Sequence, residues 1–531
     1  MIQRKCAVLR RTVVLALPVF LSAFASVEAA PKTELVAALQ GEPADGYDPL
    51  MGWGQYGHPL FQSTLLARDE DLVAGPDLAK SWSLSADRLT WTVVIRADAK
   101  FSDGSPLTAE DVAFTFNKAA TVGGIADLTV LENAELVASD TIKFHLKHPR
   151  ITFLENFITL GIVPAKSYGG DYGRHPVGSG PYRMVQWDEG QQLIVEANPY
   201  YYGPKPAFRR VTFLFTGEDA SFAAAQAGRL DIVTVPPSLA GKAPTGMRRI
   251  VVDSVDNRGL MFPTVPNTGR KNAVGMPIGN DVTADPAIRH AINVAIDRAA
   301  LVAGALDGFG RPAYGPADGL PWSNPEARMA DADPERAKEI LAEAGWKDPG
   351  HKGVLEKNGR QARFQILYFA SDSVRQALAL MVSEKLKPLG IAAEPVGKSL
   401  DDVRRLMNSE AVVFGYGSHN PLEVYSLYDG TLAGNGTYNA GYYVNPTVDE
   451  HFAAAQNAPS VEASLPQWRL AEWDGNSGFG MKGDAAWAWM VNLKHVYFAN
   501  KCLDVGKTQV EPHGHGWPIT AGILHWRWIC P

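Results

Sequence analysis

Residues Leu78–Phe116 read LAKSWSLSADRLTWTVVIRADAKFSDGSPLTAEDVAFTF. Leu89, Trp91, Val93 and Ile95 recur at every second position, the period of a strand with one buried face. Asp103-Gly104 marks a turn, Pro106 punctuates the chain, and Thr108 is placed to cap a helix that begins with Ala109-Glu110-Asp111. A strand, a tight turn and a capped helix inside 39 residues predict a mixed α/β protein.

The same signals extend outward. Glu34 to Gln40 predicts a first strand, and Leu136 to Leu146 alternates as a strand with a turn at Ser139-Asp140. Gln192 to Ala197 and Arg210 to Phe215 predict two more. Asp285-Pro286 and Asp333-Pro334 each place a capping acid before a first-turn proline. The first of these helices carries Ile288, Ala291, Ile292 and Ala295 on one face, and the second ends at Gly345. Ser371 to Leu389 predicts a third helix, flanked by strands at Arg363 to Phe369 and Ala411 to Phe414. The aromatic segment Trp487 to Trp528 reads as strand-like sequence returning to the first half. No internal repeat or low-complexity tract is present.

The N-terminus has the pattern of a secretory signal peptide over residues 1–30. Arg4, Lys5, Arg10 and Arg11 precede an apolar run from Thr12 to Ser26 that is shorter than the roughly 20 residues a span requires. A secreted chain of this length exceeds one hydrophobic core and predicts two or more lobes. The formal net charge is -7 and no basic block occurs, which argues against nucleic acid. Cys502 and Cys530 are the cysteines left after cleavage. In an oxidising compartment such a pair is expected to bridge, two buried thiols being the alternative.

Several short patterns occur in a fixed order. After W…S.D…W.V.IR…F.DG.P.TAEDV.F.F come Pro176-Val177-Gly178-Ser179-Gly180-Pro181-Tyr182, Asn198-Pro199-Tyr200-Tyr201, Ala223 to Asp231 (AAAQAGRLD) and Asp285 to Asp297 (DPAIRHAINVAID). Their order resembles the extracytoplasmic solute-binding proteins of peptide/nickel ABC importers (family 5). The resemblance implies a two-lobe α/β periplasmic binding protein fold of the cluster C type, with an extra subdomain and a cleft that closes on ligand. Lobe I would comprise residues 31–265 and 480–531, with an inserted subdomain at about 70–185, and lobe II residues 266–479. Hinges are expected near 260–280 and 475–485. Permease subunits and their ATPase would be the partners of a monomeric periplasmic protein.

Three glycine-rich loops carry candidate ligands: Gly52-Trp53-Gly54-Gln55-Tyr56-Gly57-His58-Pro59, Gly415-Tyr416-Gly417-Ser418-His419-Asn420-Pro421 and Glu511-Pro512-His513-Gly514-His515-Gly516-Trp517-Pro518. Imidazole suits nickel, copper and zinc, and two histidines one glycine apart can turn to one ion in a loop. His58, His419, His513 and His515 are therefore the candidate metal ligands, packing histidines beside Trp517 and Trp526 being the plainer alternative. Peptide-binding relatives place an Asp in the second loop, which pairs with the peptide's amino group. Here that loop holds no acid before Pro421, and Glu423 is the nearest carboxylate. The resemblance thus points to the nickel or metal-chelate branch.

Two or three histidines leave coordination positions open. Free histidine or another small metallophore would fill them, and arginine would receive its carboxylates. Arg375 is the candidate, a solvated helix position being its plainer reading. Trp53, Tyr416, Tyr442, Tyr443 and Trp517 are candidate walls. A di- or oligopeptide importer subunit is the first alternative and a cell-envelope enzyme the second. No G-x-S-x-G elbow before a helix and no H-E-x-x-H pattern supports an enzyme, and no catalytic cofactor is expected.

Overall fold

The computed structural model describes Met1 and residues 32–531 apart from 40, 58, 123–125 and 515. The expected leader beyond Met1 lies outside the described residues, as do His58 and His515.

An eleven-stranded mixed sheet organises the chain. Its order is Ala392–Lys398, Arg363–Phe369, Ala411–Phe414, Met247–Met261, Trp487–Asn500, Ile232–Val235, Glu34–Ala38, Arg210–Leu214, Gln192–Ala197 and Tyr182–Asp188, with Gly310–Pro312 added beside Trp487–Asn500. Two long antiparallel strands, Met247–Met261 and Trp487–Asn500, run through both halves. The end of the first pairs with Ala411–Phe414, and the end of the second pairs with Ile232–Val235. Their register slips between Asp253 and Asn257. The chain passes between the halves on these continuous strands rather than at the loops expected near 260–280 and 475–485.

The Ala411–Phe414 strand is parallel to Arg363–Phe369 and fully buried, so it reads as an unbroken apolar run instead of an alternating one. Asp285 caps Pro286–Ala295 by accepting from the Ala287 amide, and Asp333 caps Pro334–Glu343 in the same way from Arg336. Ile288, Ala291, Ile292 and Ala295 are buried in one core with Ile366, Leu378 and Val382. The third helix, Ser373–Leu386, starts later than expected because Asp372 takes the cap position.

A separate four-stranded sheet is built from Ala79–Leu84, Thr90–Ile95, Thr141–Leu146 and Leu131–Ala138. Trp91, Val93 and Ile95 point to one core with Val112 and Phe116 of the helix Ala109–Val122. Thr108 and Asp111 close the helix start reciprocally, the Asp111 carboxylate accepting from the Thr108 amide at 2.8 Å. This unit meets the other half of the molecule directly: the Thr152 hydroxyl donates to Gln456 at 2.6 Å, and Arg150 lies 5.5 Å from the centre of the Tyr425 ring.

One expected strand is corrected. Trp517–His525 is a 3-10 helix, because Gly516 turns the chain at φ +90 and Pro518 lacks a ladder donor. Its aromatic content signalled burial, not extension. Cys502 and Cys530 form a disulfide beside the short ladder of Leu503–Asp504 with Arg527–Trp528. It closes a sequence separation of 28 residues. A Cys502→Ser, Cys530→Ser variant is expected to lose about 2–4 kcal/mol of unfolding free energy. Urea unfolding of both proteins measures this, and equal midpoints would show that the bridge does not restrain the tail.

Candidate functional site

The register slip in Met247–Met261 presents Asp256 and Arg258 to the interior. Both are buried, at 3% and 4% exposure, a rare location for charges unless they are paired. One Asp256 carboxylate oxygen accepts from an Arg258 guanidinium nitrogen and from His513 Nδ1, the latter at 2.8 Å. The other oxygen pairs with His495 Nε2 at 3.0 Å. His495 Nδ1 in turn meets Glu511 at 2.6 Å, and the Tyr497 hydroxyl donates to the same Glu511 oxygen at 2.6 Å. Burial alone would raise the Asp256 carboxyl, but Arg258, His513 and His495 outweigh it and hold it well below the usual range. Burial opposes charge on His495, yet its two carboxylate neighbours push it up to about 9. His495 is therefore an imidazolium at neutral pH.

The C-terminal loop is laced to this strand. Glu511 donates its amide to Asp253 at 2.8 Å and accepts from the Val255 amide at 2.9 Å. The His513 amide donates to the Gly417 carbonyl at 2.8 Å. Gly417 and Gly415 explain why the middle loop can come so close. A Cβ on Gly415 would lie 2.1 Å from the Asn257 carbonyl oxygen, and one on Gly417 2.5 Å from that of Val255. Asn257 and Tyr416 then exchange two bonds, at 2.8 and 2.9 Å.

His513 is the sequence-predicted ligand that the structure places centrally. Its ring lies 5.6 Å from that of Tyr56, centre to centre. Burial lowers its basicity, and Arg258 and Arg375 lower it further against the pull of Asp256. The ring is therefore neutral at pH 7, and donation from Nδ1 to Asp256 leaves Nε2 as the basic nitrogen.

Arg375 is not a solvated helix residue. It is 1% exposed, paired with its own helix cap Asp372, and lies 4.7 Å from the centre of the Phe369 ring. Burial and the positive charge of Arg258 both lower its basicity. The Nε atoms of Arg258 and Arg375 are buried with no hydrogen-bond partner among the described residues. Tyr416 is buried and stacks with Tyr438 at 5.2 Å. His419 is half-buried, and its carbonyl accepts from Arg68 at 3.5 Å.

The other candidates are placed elsewhere. Trp53 and Trp517 pack edge to face at 5.2 Å against Tyr47 and Phe213, in the core beneath the sheet's first half. The Tyr442 ring lies against Arg270 and Gly434, and the Tyr443 hydroxyl donates to Asp484 at 2.7 Å. No described contact joins Tyr442 or Tyr443 to the Asp256 cluster.

Sequence reading passed over Asp256, Arg258, His495 and Glu511. The signal available was Asp256-Asn257-Arg258 directly preceding the apolar run Gly259-Leu260-Met261-Phe262.

Comparison with known proteins fits this architecture. Residues 74–437 match the model of the bacterial extracellular solute-binding proteins, family 5 Middle. Protein XP55 of Streptomyces lividans is 33% identical over 496 residues, covering 90% of this chain and 86% of that protein. The chain belongs to family 5 of the extracellular solute-binding proteins. Members of this family are non-catalytic transport components of ABC importers. The oligopeptide-binding protein AppA of Bacillus subtilis is 27% identical over 490 residues, covering 84% of this chain and 87% of AppA. The crystal structure of NikZ from Campylobacter jejuni in complex with Ni(L-His) superposes with a TM-score of 0.82 at 23% identity, covering 94% of this chain and all of that one. This family 5 protein therefore has the α/β periplasmic binding protein fold.

Proposed function

We propose that this family 5 protein captures nickel as a chelate with histidine or a similar small amino-acid ligand in the periplasm. As a monomer it then delivers the chelate to the permease and ATPase of its importer. The observation that carries the reading is the Asp256–His513 contact at 2.8 Å. A carboxylate behind a neutral imidazole fixes the tautomer and raises the basicity of the opposite nitrogen, the arrangement that metal-ligating histidines use.

The surroundings support a chelate over a bare ion. Among the described residues no three His, Cys, Asp or Glu side chains are grouped to hold a metal. The chelator would then supply most of the donors, and the buried guanidiniums of Arg258 and Arg375 would receive its carboxylates. His419 stands where peptide-binding relatives are expected to carry an acid, which favours the chelate over a peptide amino group. Closure would turn on the register slip at Asp253–Asn257, where the two crossing strands loosen their ladder.

Calorimetric titration of metal-free protein with preformed nickel–histidine complex tests the reading. Saturable binding is expected in the wild type, weakened at least tenfold in His513→Ala. Binding of di- and tetrapeptides with no response to the nickel complex would assign the protein to peptides instead.

A further inference from the structure

Glu423 opens the helix Leu422–Tyr428 and is 8% exposed. Its two oxygens accept from the backbone amides of Gly417 and Ser418 at 3.2 and 3.1 Å. Among the described residues it has no ion-pair partner. Every other buried acid near it does: Asp256 has Arg258 and His495, and Glu511 has His495. The charge of Glu423 bears on Tyr56, Tyr416 and Tyr438, which come from three different loops. A buried carboxylate bounded by tyrosine faces is the chemistry that holds a cation, since the rings supply a negative quadrupole and the acid supplies the countercharge.

We propose that Glu423 receives the cationic centre of the captured solute and gives up its own proton to solvent when that centre arrives. The inference rests on the Asp256 cluster being the solute site, as above, but not on the solute being nickel. A metal centre and an ammonium group make the same demand.

The electrostatics agree with the geometry. Burial pushes the Glu423 carboxyl up to about 8, the two amides opposing and Asp256 adding to the rise. The ionisable groups facing it are Asp256 on the crossing strand, Tyr56 on the first loop, Tyr416 on the second and Tyr438 beyond it. None of them is a cation, so the empty site keeps its proton at pH 7. An incoming cation favours the ionised form, and the proton passes to buffer. Capture is then favoured as pH rises: affinity climbs about tenfold per unit below 8 and levels off above it.

The test is calorimetric titration at pH 7 in phosphate and in Tris, whose different ionisation enthalpies yield the number of protons released. Preformed nickel–histidine complex and tetra-alanine are the two probes. Wild type is expected to release close to one more proton per bound solute than Glu423→Gln, and the difference is expected to vanish by pH 9.5. Weaker binding by the variant with an unchanged proton count would overturn the inference, because it is what a merely loop-bracing glutamate would produce. Tetra-alanine binding with the extra proton, and no response to nickel, would remove the nickel reading and uphold this one. Carbon-13 NMR of glutamate-labelled protein, assigned by Glu423→Gln, gives a check without ligand. A midpoint below about 6 overturns the inference.

Discussion

Asp256→Asn is expected to lower the unfolding free energy by about 3–5 kcal/mol, the loss typical of removing one partner from a buried charge network. The change keeps the side chain's size but leaves the buried Arg258 and His495 without their shared anion. It also sets an amide where three nitrogen donors converge. Asp253, in the same strand, supplies the control. Its pair with Lys494 at 3.0 Å is solvent-exposed, and Asp253→Asn is expected to cost less than about 1 kcal/mol. Urea unfolding of the three proteins measures both values. The Asp256 variant has a second expected effect, a 10–100-fold loss of affinity for the nickel–histidine complex, because His513 loses the carboxylate that orients it. A stable Asp256→Asn protein with unchanged affinity would show that the cluster neither braces the crossing strands nor positions His513.

The second large effect is on pH dependence. In the folded chain His495 titrates at about 9, above the ordinary value near 6.5. The folded state therefore binds the extra proton more tightly than the unfolded state between these values. The stabilisation is fully present below about 6.5 and is lost as pH rises through 9, amounting to about 3 kcal/mol over that window. Glu423 also titrates high, at about 8, and contributes a decline of the same sign. The His495 share is isolated by difference. The stability gap between wild type and His495→Gln is expected to shrink steadily from pH 6.5 to 9, as unfolding at closely spaced pH values would show. A gap that stays constant would mean that His495 is neutral in the folded protein. Asp256 acts on the other flank. Its depressed carboxyl stabilises the fold above about pH 4, and that contribution is lost in acid.

The elements read best from sequence are those whose cause is local. Asp285-Pro286 and Asp333-Pro334 start helices because the capping acid and the proline act within one turn. Trp91, Val93 and Ile95 bury alternate positions because the pleat has a period of two. Trp517 and Trp53 are the opposite case. Their place in loops with His513 and Tyr56 suggested a cleft wall, but neighbouring side chains in a tight loop face different ways, and these two face the core. The Asp256 cluster was illegible for a related reason. His495 lies 239 residues from Asp256 and His513 lies 257, so no local pattern joins them. The strand-register slip that turns Asp256 inward is a property of two paired strands and is absent from either strand alone. Glu423 was visible as the acid nearest the second loop, but its burial depends on where Tyr56 and Tyr438 come to rest.

The central claim is that His513, held by Asp256, meets the captured metal. Anomalous diffraction at the nickel edge, from crystals grown with preformed nickel–histidine complex, tests it most directly. The account predicts a single strong peak about 2.1 Å from His513 Nε2, with the chelator's carboxylates toward Arg258 and Arg375. A peak elsewhere, or a site filled by peptide with no metal, would contradict it.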